Sequence, residues 1–139
     1  MDGTLLAFMI GVLVIGALLI IVITLTKRVP MGLDVEKYRS KWLQIEASLK
    51  RDESSSHHLA VLNADKLLDQ ALREKGVRGD TMGERMKTAN TSWRNANAVW
   101  GAHKLRNQIA HESDVRVTYD DARRALAGFK QALKDLGAI

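Results

Sequence analysis

The side chains best suited to chemistry in this chain are gathered in ten residues, HKLRNQIAHE, from His103 to Glu112. Apolar periodicity puts them on a helix from Trp93 to about His111, whose core stripe is Ala98, Ala102, Leu105 and Ile109. With Leu105 at zero on a wheel of about 100° per residue, that stripe centres near about 30°. His103, Asn107, Trp100 and His111 then fall at about 160°, 200°, 220° and 240°, opposite the core, with Arg106 on the border at about 100°. His111 stands near a helix C-terminus, where the dipole favours its charged form, and it titrates in the range useful for proton transfer. Trp93 and Trp100 are unusual residues to leave facing water. Together with His103 they predict a second interface on this helix. An Arg and a His near a helix C-terminus are equally ordinary as capping and solvating residues.

The run Arg106-Asn107-Gln108-Ile109-Ala110-His111 resembles the Arg-x4-His motif of the HEPN superfamily, in which a polar residue, often Asn, follows the arginine. AHKLRNQIAHE is also similar to segments of uncharacterised HEPN-like bacterial proteins. About ten residues carry the resemblance sharply, and residues 35–137 follow it in outline. It implies a four- or five-helix bundle with the motif on a late helix. It also implies a metal-independent ribonuclease or RNA-binding module in which two subunits bring their motifs together. Carried onto this sequence, the catalytic set is Arg106, Asn107 and His111. His111 would act as general acid or base on the ribose 2′-OH or the leaving oxygen. Arg106 would hold the scissile phosphate, and Asn107 would orient one of these groups. Arg106 and His111 lie about 140° apart on an ideal wheel, so one copy frames such a site poorly and a homodimer is expected.

Other chemistries find less support. Eight residues of straight helix separate His103 from His111 by about 12 Å, too far for one metal ion, and the adjacent His57 and His58 point about 100° apart. There is no P-loop, no G-x-S-x-G and no dinucleotide fingerprint, and no cofactor is implied. Asp65, Asp69 and Glu74 read as a solvated face, although Asp65 would line a cleft if its helix packed beside the motif.

The expected class is all-α: one transmembrane helix and then a bundle of four to five helices. In the bundle, Asp34 is a plausible N-cap before a stripe of Tyr38, Trp42, Ile45 and Leu49. After the polar connection Arg51–Ser56, a helix from about Ser56 to Lys75 carries Val61, Ala64, Leu68 and Leu72, with Leu67 and Ala71 beside them, and Gly76 ends it. A glycine-punctuated loop leads to a short helical stretch, Thr81–Asn90. Past the motif helix and a turn at Ser113–Val117, Thr118 and Asp121 resemble a capping box. The last helix carries Ala122, Leu126, Phe129, Leu133 and Leu136 along one side. No strand, internal repeat or low-complexity tract is evident.

At the N-terminus, Thr4–Thr26 has no charged residue. It is long enough, at roughly 1.5 Å per residue, to cross the ~30 Å hydrocarbon core of a bilayer. The run is too long, and its N-terminal flank too poor in base, for a cleaved signal peptide. Residues 1–3 are then a short extracytoplasmic end, 27–33 a juxtamembrane linker and 34–139 the helical domain. Lys27 and Arg28 follow the span directly, and the positive-inside rule predicts an outside N-terminus and a cytoplasmic domain at the plasma membrane. All 21 Lys and Arg lie after position 26, against 15 of the 16 acids, so residues 27–139 carry a net charge of +6. That suits an anionic surface such as lipid headgroups or RNA without choosing between them, and suits a soluble surface as well. The chain has no cysteine, hence no disulfide and no thiolate metal site.

Two functions remain open at this point. One is a membrane-tethered HEPN-like ribonuclease or RNA-binding effector working as a homodimer. The other is a non-catalytic membrane-anchored adaptor that uses Trp93 and Trp100 to bind a protein or itself.

Overall fold

The computed structural model describes residues 2–26 and 32–139; the linker expected at 27–33 lies largely outside them. Six α-helices and one 3-10 turn are present, with no strand among the described residues. The chain divides into two units, an N-terminal helix and the bundle Gly32–Ile139.

Helix α1, Gly3–Thr26, is apolar around its whole circumference and is long and apolar enough to cross a membrane. Its 24 residues extend about 36 Å. The hydroxyl of Thr24 donates back to the carbonyl of Ile20, so this polar side chain is satisfied within its own helix.

The bundle consists of α2 (Val35–Ser48), α3 (Ser54–Glu74), α4 (Met82–Thr88), α5 (Ala96–His111) and α6 (Tyr119–Asp135). Asp34 caps α2 by accepting from the Lys37 amide at 3.2 Å, and Tyr38, Trp42 and Ile45 are buried as their spacing requires. The central helix is α3: it packs against α2, α4, α5 and α6. Its end is a Schellman turn on Gly76 at φ +77°, where the amides of Gly76 and Val77 reach back to Arg73 and Leu72. Gly137 ends α6 in the same way, and Lys75 donates to the Leu136 carbonyl at 2.9 Å, tying the two helix ends together. The expected capping box is present. Thr118 Oγ1 accepts from the Asp121 amide and Asp121 Oδ2 from the Thr118 amide, each at 3.1 Å, and the apolar stripe of α6 is buried throughout.

Helix α5 departs from expectation in two ways. It starts at Ala96, not Trp93, because the Asn95 side chain accepts from the Ala98 amide and caps it there. Trp93 precedes the helix in an extended conformation and is buried, donating from Nε1 to the Met86 carbonyl at 3.0 Å. It is therefore part of the core and not of a second interface. The buried face of α5 is also turned from the expected stripe: Val99, Ala102 and His103 are buried, while Ala98, Leu105 and Ile109 are only half-buried. Two neighbours set this rotation. On one side Gly128 lets α6 come so close that a Cβ there would lie 2.7 Å from the Ala98 carbonyl oxygen. On the other, α3 presents a buried carboxylate to His103. An apolar wheel counts neither.

Candidate functional site

Asp65 sits on α3 beside Ala64 and Leu68, only 3 % exposed. A carboxylate so placed is costly unless its oxygens are bonded, and α5 supplies both partners. Asp65 Oδ1 accepts from His103 Nδ1 at 2.8 Å, and Oδ2 forms an ion pair with Arg106, whose Nε is 3.2 Å away. The Arg106 guanidinium reaches on through Nη1 to Asn107 Oδ1 at 3.0 Å, and Asn107 Nδ2 meets His103 Nε2 at 3.4 Å. Four side chains thus form a closed ring.

One turn further along α3, Asp69 repeats the pattern. Its Oδ1 lies 2.8 Å from both Nε and Nη2 of Arg85 on α4, and its Oδ2 is 3.0 Å from Arg73. Arg85 is buried and also donates to the Gly79 carbonyl at 2.7 Å, fastening the loop before α4. Gly79 is required there: at φ +153° a Cβ would stand 2.6 Å from the Arg85 amide nitrogen. Thr81 caps α4, accepting from the Glu84 amide at 3.2 Å.

These two carboxylates and their cations form one wall of a cleft of about 620 Å³ between α3, α4 and α5. Lys66 and Asn63 of α3 add to its lining, as do Thr81 and Gly83 opposite. His103 borders the cleft, since a Cβ on Gly83 would lie 3.9 Å from its Nε2. Trp100 is half-buried with its ring edge-on to His103, centroids 6.2 Å apart.

The structure brings Arg106 and Asn107 together in this cleft and adds His103, which the wheel placed opposite the core but which is 9 % exposed and bonded to α3. His111 is not with them: it is exposed at the last residue of α5, outside the cleft lining. The three proposed interface residues do not share one exposed face, because Trp93 is in the core and His103 in the ring. Asp65 and Asp69 are not a solvated face either. Glu74 is the most exposed of that trio, yet it accepts from the Tyr38 hydroxyl at 2.6 Å and from Lys37 and Gln70 at 3.1 Å each. These bonds, Tyr38's first, hold the Glu74 carboxyl down at about 2. Burial, then Glu74, push the Tyr38 phenol above its ordinary range.

Among the described residues, His57 and His58 are not grouped with other metal-ligating side chains. His57 bridges the carbonyls of Lys50 and Val117, and His58 those of Ser54 and Val115, fastening the α5–α6 connection to the start of α3. No group of three metal-ligating side chains occurs among the described residues. Comparison with family models, curated proteins and solved structures gives no match.

Proposed function

We propose that the helical domain binds RNA in the α3–α4–α5 cleft and cleaves its phosphodiester backbone without a metal ion. One observation carries this reading: Arg106, the arginine of the RNxxxH run, is held by Asp65 and Asn107 at the wall of a cleft that also contains an imidazole. Arg106 uses Nε and Nη1 within the chain, and its Nη2 has no partner among the described residues. A phosphate oxygen can take that donor, and a guanidinium fixed by its neighbours needs no reorganisation as charge develops. Arg85, Arg73 and Lys66 line the same cleft with Asp65, Asp69 and Asp80. Asp69 pairs with both Arg85 and Arg73, so the cleft's positive excess is slight and rests on Lys66 and the outer edge of Arg106. The likeness of Arg106–His111 to the HEPN motif points the same way. In this reading α1 is a membrane anchor with its N-terminus outside, and the domain works at the cytoplasmic surface of the plasma membrane.

The test uses the full chain in lipid nanodiscs with single-stranded RNA in excess EDTA. Cleavage should leave 2′,3′-cyclic phosphate ends, spare DNA of the same sequence, and fall at least about 100-fold in Arg106→Ala. No cleavage by the native protein, or cleavage only with divalent metal, would show the reading to be wrong.

A further inference from the structure

The ring of Asp65, His103, Asn107 and Arg106 has only one consistent direction. Arg106 is a donor alone, so the Asn107 atom facing it must be the carbonyl oxygen. The Asn107 amide nitrogen then faces His103, and Nε2 must receive it with a lone pair. The imidazole proton is consequently on Nδ1, where Asp65 accepts it. The ring fixes His103 as the Nδ1–H tautomer with a basic Nε2, and that nitrogen borders the cleft.

The geometry points to His103, oriented by Asp65, as the proton-transfer residue of this site, within a single copy of the chain and in place of His111. The inference rests on the phosphodiester-cleaving reading above. Among the described residues Nε2 is capped only by the long 3.4 Å contact to Asn107, which an incoming hydroxyl can displace. Gly83 puts no side chain over it from α4. Facing His103 are Asp65 from α3 and Arg106 from its own helix, with Arg85 of α4 on the cleft lining but committed to Asp69 and Gly79. The carboxylate on Nδ1 both selects the tautomer and stabilises the imidazolium that forms.

The step balances without a co-reactant. His103 Nε2 takes the proton of a ribose 2′-OH, and the 2′ oxygen attacks the adjacent phosphorus, whose developing charge Arg106 offsets. The O2′–P bond forms and the P–O5′ bond breaks. The imidazolium returns its proton to the 5′ oxygen, directly or through water, leaving a 2′,3′-cyclic phosphate, a 5′-hydroxyl and a neutral His103. The substrate class is RNA and not DNA, because the nucleophile is the 2′-OH. His103 is the catalytic residue, Asp65 a positioning residue.

Initial rates on single-stranded RNA, in EDTA and across pH 5–9, test this with the full chain in nanodiscs. His103→Gln should lose about 100-fold or more, exceeding the loss in His111→Ala by about tenfold. Asp65→Asn should lower kcat with KM little changed, because the tautomer and orientation of His103 depend on Asp65. A merely structural role would not confine the loss to kcat. Gly83→Leu puts a side chain against Nε2, its Cβ 3.9 Å away, without replacing any member of the ring. It should abolish cleavage with the helical circular dichroism and melting transition retained, and it decides the matter if His103→Gln fails to fold. Native rates in Gly83→Leu or in folded His103→Gln overturn the assignment. Loss in His111→Ala alone overturns it too, while leaving the phosphodiester reading intact. No cleavage by the native chain overturns both.

Discussion

At the scale of single residues, this domain uses carboxylates as connectors between helices. Asp65 and Asp69 join α3 to α5 and α4, and Glu74 joins it to the Tyr38 hydroxyl of α2. Glu74 sets a pH dependence with a definite sign. Its carboxyl is held at about 2 against an ordinary 4.5, so the stability it contributes is complete above about pH 4.5 and is lost as pH falls toward about 2. Glu46, lowered mainly by Lys130, and Asp121, lowered by Thr118, act in the same direction. Urea midpoints taken at pH 7, 4.5 and 2.5 should fall steeply for the native chain below pH 4.5 and less steeply for Glu74→Gln. Parallel curves would mean the Tyr38–Glu74 bond adds nothing to folding.

At the scale of elements, the seam between α5 and α6 sets where the site residues lie. Gly128→Ala would drive a methyl group to 2.7 Å from the Ala98 carbonyl oxygen and 3.5 Å from Ala102 Cβ, so the helices must part. The cost, about 1–3 kcal/mol, exceeds the roughly 1 kcal/mol that alanine returns in helix propensity. Gly101→Ala, with nothing within 4 Å, should instead stabilise. Thermal melts by circular dichroism should therefore move in opposite directions for the two variants, and a stabilised Gly128→Ala would disprove the tight seam. The same seam shows what the sequence could and could not reveal. The stripes of α2 and α6 and the Thr118 capping box were legible because each depends on neighbours three or four residues away. The face of α5 was not, because its rotation depends on Gly128 and Asp65, about thirty to forty residues distant in sequence. Arg106 and Asn107 could be singled out from their own run. Asp65 offered only a faint signal, an acid at the border of the Val61–Leu72 stripe, and Arg85, set between Met82 and Met86, offered less.

At the scale of the whole molecule, the chain joins an apolar helix to a basic bundle, and its lack of cysteine makes the arrangement testable. Single cysteines at Gly3 and Ser113 would be the only thiols present. With an outside N-terminus, a membrane-impermeant maleimide should label Gly3→Cys in intact cells and Ser113→Cys only after lysis; the reverse pattern would invert the topology. The ring around Asp65 has a different consequence for the folded molecule. Moved by one turn, α5 would set Val99 or Asn107 against Asp65 in place of His103. A buried carboxylate would then lose His103 and its cationic partner Arg106, a penalty of several kcal/mol. Asp65 therefore acts as a registration pin, admitting one axial position of α5 and rejecting its near neighbours.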